Sequence, residues 1–110
     1  MSKQQIDLDG KTILVTGSPG FIGANLVIRL LRDLRGGTVL SLDNMNAYYD
    51  PALKEYRLGR ITEEAKRSRA RHIFLRGSIA DRAFVDRVFD AFHPDIVVNL
   101  AAQTGVRYSI

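Results

Sequence analysis

The 110-residue sequence contains no cysteine, only two histidines and no long apolar run. The lack of cysteine excludes disulfides and thiolate metal sites, and His72 and His93 are too isolated to form a ligand cluster. We therefore expect no bound metal. The longest apolar stretches are far too short to span a bilayer, and the polar N-terminus MSKQQ lacks the features of a signal peptide. A cytoplasmic protein without a membrane partner is the expectation.

Positive charge is in modest excess, with a formal net charge of +4. It is concentrated in Arg60, Lys66, Arg67, Arg69 and Arg71. Such a cluster can bind nucleic acid, but Glu63 and Glu64 interrupt it and no aromatic residue is interleaved with its basic residues. We interpret the cluster as a solvated helix face and expect no nucleic-acid partner.

Strand and helix patterns alternate along the chain. Strands are predicted at residues 13–16, 38–42, 72–75 and 95–100, and the last has the unbroken apolar run expected of a strand covered on both faces. The first helix carries an apolar stripe and is predicted to end at a glycine pair: Ile22, Leu26, Leu30, Leu31 and Leu34, then Gly36 and Gly37.

Two more helices follow the second and third strands. Asp50 and Pro51 are typical of an N-cap and a first helical position, and that helix is either continuous or broken at Gly59 before it resumes to about residue 69. Asp81 is predicted to cap a third helix, whose buried side would be Phe84, Val85, Val88, Phe89 and Phe92.

Four strands with three intervening helices predict an α/β fold, because right-handed crossovers place helices on both faces of a parallel sheet. The expected strand order is 3-2-1-4 of a Rossmann-type sheet. That order creates a switch point between strands one and four, where a ligand lies across the carboxyl ends of the strands.

A glycine-rich turn, TGSPGFIG, starts at Thr16, where the first strand gives way to the first helix. Gly17 would allow a tight turn, Gly20 would let the backbone approach a pyrophosphate, and Gly23 would let the helix pack closely on the sheet. The free amides at the helix start supply an anion site. Three spaced glycines alone are weak evidence, and an ordinary glycine-rich turn is the alternative.

Asp43 follows the second strand, 20 residues beyond Gly23. At this distance an acidic side chain accepts hydrogen bonds from an adenosine ribose, and the same carboxylate would repel a 2′-phosphate. NAD is therefore predicted over NADP. The alternative is a loop aspartate that hydrogen-bonds its own backbone beside Asn44.

Three segments, TGSPGFIG, LDNMNAYYDPALKEYRL and VVNLAAQTGVRYSI, resemble the N-terminal third of the extended short-chain dehydrogenases/reductases that act on nucleotide sugars. The resemblance covers residues 12–110 and lies within the NAD-dependent epimerase/dehydratase family, nearest to the UDP-glucuronate 4-epimerases. It implies a Rossmann domain with tightly bound NAD, beside which a nucleotide sugar such as UDP-glucuronate binds.

The resemblance also implies roles for individual residues. The residues around the pyrophosphate would be Gly17, Gly20, Phe21 and Ile22. Asp43 and Asn44 would hold the adenosine ribose. The residues that line the cofactor past the fourth strand would be Leu100, Ala101 and Ala102. Ser78 stands where the family usually has an aspartate that accepts from the adenine amino group, while the backbone of Ile79 would still contact the ring. Asn99 replaces a histidine, which we expect to matter little if position 99 points into the core.

Arg107 lies in the loop after the fourth strand, where its guanidinium could bind a carboxylate in a bidentate manner. The hypothesis is that it recognises the uronate or an adjacent group of the substrate. Pairing with a neighbouring acidic residue of the protein is an equally weighted alternative.

No catalytic residue can be assigned. The resemblance implies a tyrosine followed four positions later by a lysine, but Tyr48, Tyr49 and Tyr56 lack that lysine and Tyr108 has too little chain after it. We therefore expect residues 1–110 to be the N-terminal part of an NAD-binding domain, with an incomplete fold. This part would lack the catalytic and substrate-binding parts and would be inactive alone.

The fourth strand would then be an exposed edge that favours self-association. Another nucleotide-sugar epimerase, a dehydratase and a non-catalytic NAD-binding module remain alternative functions.

Overall fold

The computed structural model describes residues 8–17, 20–44 and 51–100. Strands and helices alternate in this part of the chain: β1 (Thr12–Thr16), α1 (Phe21–Asp33), β2 (Thr38–Asp43), α2 (Pro51–Arg67), β3 (Arg71–Arg76), α3 (Arg82–Phe92) and β4 (Ile96–Asn99). All strand pairs are parallel and their order is β3-β2-β1-β4. The predicted α/β class, Rossmann-type sheet and strand order are confirmed.

Apolar side chains pack against both faces of the sheet. On one face, Ile13 and Val15 of β1 belong to a buried cluster with residues of α1 and with Ile61 of α2. On the other face, Leu14 packs in a second cluster with Val88 of α3. Alternate side chains of a strand point to opposite faces, so an uninterrupted apolar sequence is what a strand covered on both sides requires.

The buried face of α1 differs from the predicted stripe. Ile22 is 66% exposed, and Leu26 and Leu30 are only partly buried. Leu31 and Leu34 are buried as predicted, and the other buried residues of the helix are Gly23, Ala24, Val27 and Ile28. The predicted stripe lies to one side of the buried face, which runs through positions 24, 27, 28 and 31 with the spacing of an amphipathic helix. The helix also ends at Asp33, before the glycine pair.

The second and third helices begin where the sequence predicts. α2 starts at Pro51 and continues through Gly59 without a break, because tertiary contacts outweigh the weak helix propensity of one glycine. The Asp81 side chain caps α3 by accepting from the Phe84 N–H at 3.1 Å. Val88 is the one buried residue on the predicted apolar side of α3, and Phe89 is 39% exposed.

β4 is only half covered. Val97 is 47% exposed. The apolar run of this strand predicted burial on both faces, and among the described residues β4 is buried less than that. Among the described residues β4 pairs with β1 alone, which leaves its other edge without a strand partner. Self-association through that edge stays a prediction. No helix in residues 8–17, 20–44 and 51–100 has the length and apolarity of a bilayer span.

The turn into β2 depends on Gly37, whose φ of +99° lies in the left-handed region. A Cβ atom at this position would lie 2.5 Å from the carbonyl oxygen of Lys11. That carbonyl accepts from the Thr38 N–H at 3.0 Å, and the Gly37 carbonyl accepts from the Arg71 N–H at 2.9 Å. Gly37 thus aligns the starts of three strands.

One partly buried polar pair makes the stability of the sheet depend on pH. His72 Nε2 on β3 lies 2.8 Å from the hydroxyl of the fully buried Ser41 on β2, and burial lowers the pKa of His72. Above the ordinary histidine pKa, this residue is neutral in both the folded and the unfolded chain. As the pH falls below about 6.5, the unfolded chain takes up a proton that the folded chain resists, so folding stability decreases.

His72→Gln keeps a hydrogen-bond acceptor but does not titrate. We expect this variant to lose less stability than the wild type, by under about 1 kcal/mol, between about pH 7.5 and about pH 5.5. Urea unfolding at the two pH values measures the difference. His93→Gln, at an exposed position, is the matched control. Equal losses in wild type and His72→Gln would contradict the assignment.

Candidate nucleotide-binding site

Backbone hydrogen bonds bring the segments that follow the four strands to one edge of the sheet. The Gly17 N–H donates to the Leu42 carbonyl at 2.8 Å, and the Gly77 N–H donates to the Asp43 carbonyl at 3.0 Å. On the other side of β1, the Leu100 N–H donates to the Thr16 carbonyl at 3.1 Å. The starts of the segments that follow the four strands therefore lie side by side along the carboxyl edge of the sheet, and those after β1 and β4 flank the switch point.

The glycine-rich turn has the backbone conformation that its composition predicts. Gly17 has a φ of +75°, in the region that favours glycine, and its carbonyl accepts from the Gly20 N–H at 3.0 Å. A Cβ atom at Gly20 would lie 3.2 Å from that same carbonyl oxygen. Positions 18 and 19 lie outside the described residues. Gly17 is thus required by the turn, and a side chain at position 20 would crowd the Gly17 carbonyl.

The start of α1 offers backbone donors without a competing side chain. Gly20 is the N-cap and has no side chain to bond the amides of the first turn, which also contains no acidic residue. Helical bonding begins with the Ala24 N–H, which donates to the Gly20 carbonyl at 2.8 Å. The preceding amides and the positive end of the helix dipole together form an anion-binding terminus.

Two further predicted residues, Ile22 and Gly23, lie in the first turn of α1 and differ in burial. Gly23 is buried, consistent with its predicted role in close packing of the helix on the sheet. Ile22 is largely exposed at the helix start, although sequence reasoning placed it on the core stripe. An exposed isoleucine beside an anion site is an apolar surface that a bound cofactor could cover. The Phe21 side chain lies outside the described residues.

Asp43 is the last residue of β2 and is 8% exposed. Its Oδ2 atom lies 3.0 Å from Nζ of Lys54, in an ion pair whose side chains are each 9% exposed. Asn44, the next residue, is exposed. The pair joins the carboxyl end of β2 to the beginning of α2.

Sequence reasoning missed Lys54. The residue belongs to a helix rich in charged side chains, where one lysine does not stand out from the solvated face. Asp43 and Lys54 are also 11 positions apart in the sequence, and neither hydrophobic periodicity nor helix-capping rules relate residues at that separation. The one available signal was that Lys54 lies within LDNMNAYYDPALKEYRL, a segment that carries the family resemblance.

The segment after β3 is occupied by internal bonds of the protein. The Ser78 hydroxyl oxygen accepts from the Ala80 N–H at 3.0 Å, and the Ser78 carbonyl accepts from the Asp81 N–H at 3.1 Å. The side chain of Ile79 packs against the core cluster on the α3 side. Contacts from position 79 to a ligand would therefore come from its backbone, as the resemblance implies.

Gly77, directly before Ser78, is required by the core. A Cβ atom here would overlap the ring of Phe84 on α3. The ring occupies the space that any other residue's side chain would need.

A side-chain bond joins β1 to β4 at the switch point. The Thr16 hydroxyl donates to Asn99 Oδ1 at 2.5 Å and accepts from the Leu100 N–H at 3.1 Å. Asn99 is exposed, so the condition under which its exchange for histidine would matter little is not met. Sequence analysis assigned no side-chain role to Thr16. Leu100 is 38% exposed, beside the start of the segment predicted to line the cofactor.

Three predicted residues, Ala101, Ala102 and Arg107, lie outside the described residues. Within residues 8–17, 20–44 and 51–100, no group of three potential metal ligands is found.

Comparison with known proteins identifies the family. The sequence profile described as GDP-mannose 4,6-dehydratase matches residues 14–110. UDP-glucuronate 4-epimerase 5 of Arabidopsis thaliana is 43% identical over 101 residues, which are 92% of this chain and 21% of that protein. The chain thus spans about a fifth of the length of this curated relative.

Solved structures give the same fold. The dTDP-glucose 4,6-dehydratase of Bacillus anthracis in complex with NAD matches with a TM-score of 0.70 at 23% identity, covering 86% of this chain and 27% of that one. The Bordetella bronchiseptica enzyme WbmG in complex with NAD and UDP matches at 29% identity with a TM-score of 0.60, covering 86% and 26%. The sheet order, the glycine turn and these similarities together show that the chain belongs to the NAD-dependent epimerase/dehydratase family.

Proposed function

We propose that this chain is the NAD-binding N-terminal part of a nucleotide-sugar epimerase, with UDP-glucuronate as the favoured substrate. The convergence of the glycine turn, Asp43 and Ser78 at the carboxyl edge of the sheet carries the proposal. The identity to a UDP-glucuronate 4-epimerase supports the choice of substrate. The catalytic and substrate-binding parts would belong to a longer protein.

The prediction that NAD is the cofactor is confirmed by the related structures, two of which hold NAD. The residues of this chain fit that cofactor. Gly17 and Gly20 leave the turn open to a pyrophosphate, and the uncapped start of α1 would bind its negative charge. The Asp43 carboxylate at the end of β2 would accept hydrogen bonds from the adenosine ribose, beside Asn44.

The adenine contact is expected to be weaker than in relatives with aspartate at position 78. The Ser78 hydroxyl already accepts from the Ala80 N–H, and serine is shorter than aspartate and uncharged. The backbone of Ile79 would supply the remaining contact. Leu100, Ala101 and Ala102 would lie against the cofactor past β4, where the Thr16–Asn99 bond fixes the point at which the chain leaves the sheet.

When bound, NAD would supply the hydride chemistry for oxidation at sugar C4 and for re-reduction from the opposite face after the keto intermediate rotates. This chain would bind and orient the cofactor, and the proton transfer would be left to groups outside it. Arg107 remains a hypothetical contact to the substrate carboxylate.

A 4,6-dehydratase is the second candidate, because both the matched family profile and one related structure carry that name. Mass spectrometry of the product of a longer protein that contains this chain separates the two. An epimerase leaves the substrate mass unchanged, whereas a dehydratase removes the mass of one water. Because an epimer and the unreacted substrate have the same mass, NMR of the sugar ring protons is measured as well, and a spectrum identical to that of the substrate would argue for a non-catalytic NAD-binding module.

Calorimetric titration of the 110-residue chain with NAD tests the binding role. The variant Gly20→Val should raise the Kd by at least about tenfold, because its side chain would fill the space opened for the pyrophosphate. Gly36→Val is the matched control, since a Cβ at Gly36 has no neighbour within 4 Å and its φ is ordinary. Absence of NAD binding by the folded wild type, or an unchanged Kd in Gly20→Val, would count against the proposal.

A further inference from the structure

The ion pair between Lys54 and Asp43 changes the electrostatics of the proposed ribose site. Both side chains are 9% exposed, and the ammonium nitrogen lies 3.0 Å from Asp43 Oδ2. Solvent screens such a buried pair far less than it screens charges on the surface. The charge of Asp43 therefore acts together with that of Lys54 on any ligand group bound at the end of β2.

An acidic residue at this position favours NAD because a 2′-phosphate would place negative charge beside negative charge. A group hydrogen-bonded to Asp43 Oδ2, the oxygen that Lys54 contacts, would lie within roughly 6 Å of Lys54 Nζ, the sum of two hydrogen-bond lengths. At that range the ammonium attracts what the carboxylate repels. The two side chains together carry no net charge.

We propose that Lys54 sets the cofactor selectivity of this site. Its ammonium offsets the charge of Asp43, so this chain rejects a 2′-phosphate less strongly than would an aspartate with no ammonium beside it at the end of β2. The inference rests on the proposed function, since it requires that the ribose binds at Asp43. It assigns the lysine a role in discriminating two dinucleotides that differ by one phosphate.

Titration with NAD and with NADP tests this role through the ratio of the two Kd values. Asp43→Asn leaves the positive charge of Lys54 in place and should shift the ratio towards NADP by about tenfold or more. Asp43→Asn/Lys54→Met removes that charge as well and should cancel the shift. The double variant removes both charges of the pair, and its asparagine and methionine approximate the size of the original side chains.

Lys54→Met alone provides an opposite test, because it deprives Asp43 of the ammonium and should shift the ratio towards NAD by about tenfold. If Asp43→Asn fails to fold, as judged by circular dichroism, the comparison of wild type with Lys54→Met decides. If Lys54→Met fails to fold, the comparison of Asp43→Asn with the double variant decides. Lys54→Arg keeps the positive charge and should retain the wild-type ratio.

Equal ratios in Asp43→Asn and Asp43→Asn/Lys54→Met, or in wild type and Lys54→Met, would overturn the role of Lys54 while leaving NAD binding intact. A folded wild type that binds neither dinucleotide would overturn the proposed function and this inference with it.

Discussion

Lys54→Met is expected to lower the free energy of unfolding by about 3–5 kcal/mol, the range found when one partner of a buried ion pair is removed. The Asp43 carboxylate, 8% exposed, would lose the ammonium that lies 3.0 Å away. A domain of this size has a total stability of about 5–15 kcal/mol, so the variant would lose a large share of it. Urea unfolding near neutral pH measures the change.

The double variant Asp43→Asn/Lys54→Met removes both charges of the pair, whereas each single variant leaves one buried charge without that partner. It should be more stable than the sum of the single effects predicts, with a coupling energy of about 1–3 kcal/mol. Exposed ion pairs offer a contrast: removal of Asp33, which pairs with Arg29 on the surface of α1, should have a far smaller effect. Additive effects at Asp43 and Lys54 would show that the two side chains do not act as a pair.

Gly37→Ala is expected to destabilise the chain by about 2–4 kcal/mol, more than backbone strain alone, because strain and a steric clash coincide. The φ of +99° disfavours any residue with a Cβ, and the added methyl would lie 2.5 Å from a backbone oxygen of Lys11. The Lys11 oxygen belongs to the backbone and cannot move aside as the end of a side chain would, so β1 and β2 would have to separate. The change is measured as a shift of the urea midpoint.

The neighbouring glycine supplies the control. Gly36→Ala adds the same methyl one residue earlier, where nothing lies within 4 Å and φ is ordinary. Its effect should stay within about 0.5 kcal/mol, as for most surface substitutions. Similar losses in Gly36→Ala and Gly37→Ala would mean that glycine content, and not the position-specific conformation, governs the stability of this turn.

The sheet could be predicted from sequence because each strand carries its own signal. The apolar run of β1 and the capping signals at Pro51 and Asp81 are local, and right-handed crossovers then limit the strand order. The buried face of α1 could not be predicted with the same success. The predicted stripe included Ile22 and Leu26, whereas the buried face contains Ala24 and Val27, because the sequence pattern of α1 does not show which of two adjacent apolar sides meets the sheet.

The candidate site divides in the same way. Gly17 and Asp43 could be predicted because the backbone turn and, in the proposed role, a ribose impose residue types at fixed positions relative to a strand end. Lys54 and the Thr16–Asn99 bond were missed, since each joins elements that are distant in sequence by an ordinary polar contact. Long-range pairs of this kind have no pattern in a single sequence.

Gly77 illustrates how easily a binding residue could be assigned in error. It adjoins Ser78 in the proposed adenine site, yet the Phe84 ring fills the place where its Cβ would be. A mutational scan scored by NAD affinity would rank Gly77 among the contacts, because any larger residue would displace the Phe84 ring beside the site. Only a scan that also recorded protein abundance would separate this glycine, constrained by the interior, from those constrained by the ligand.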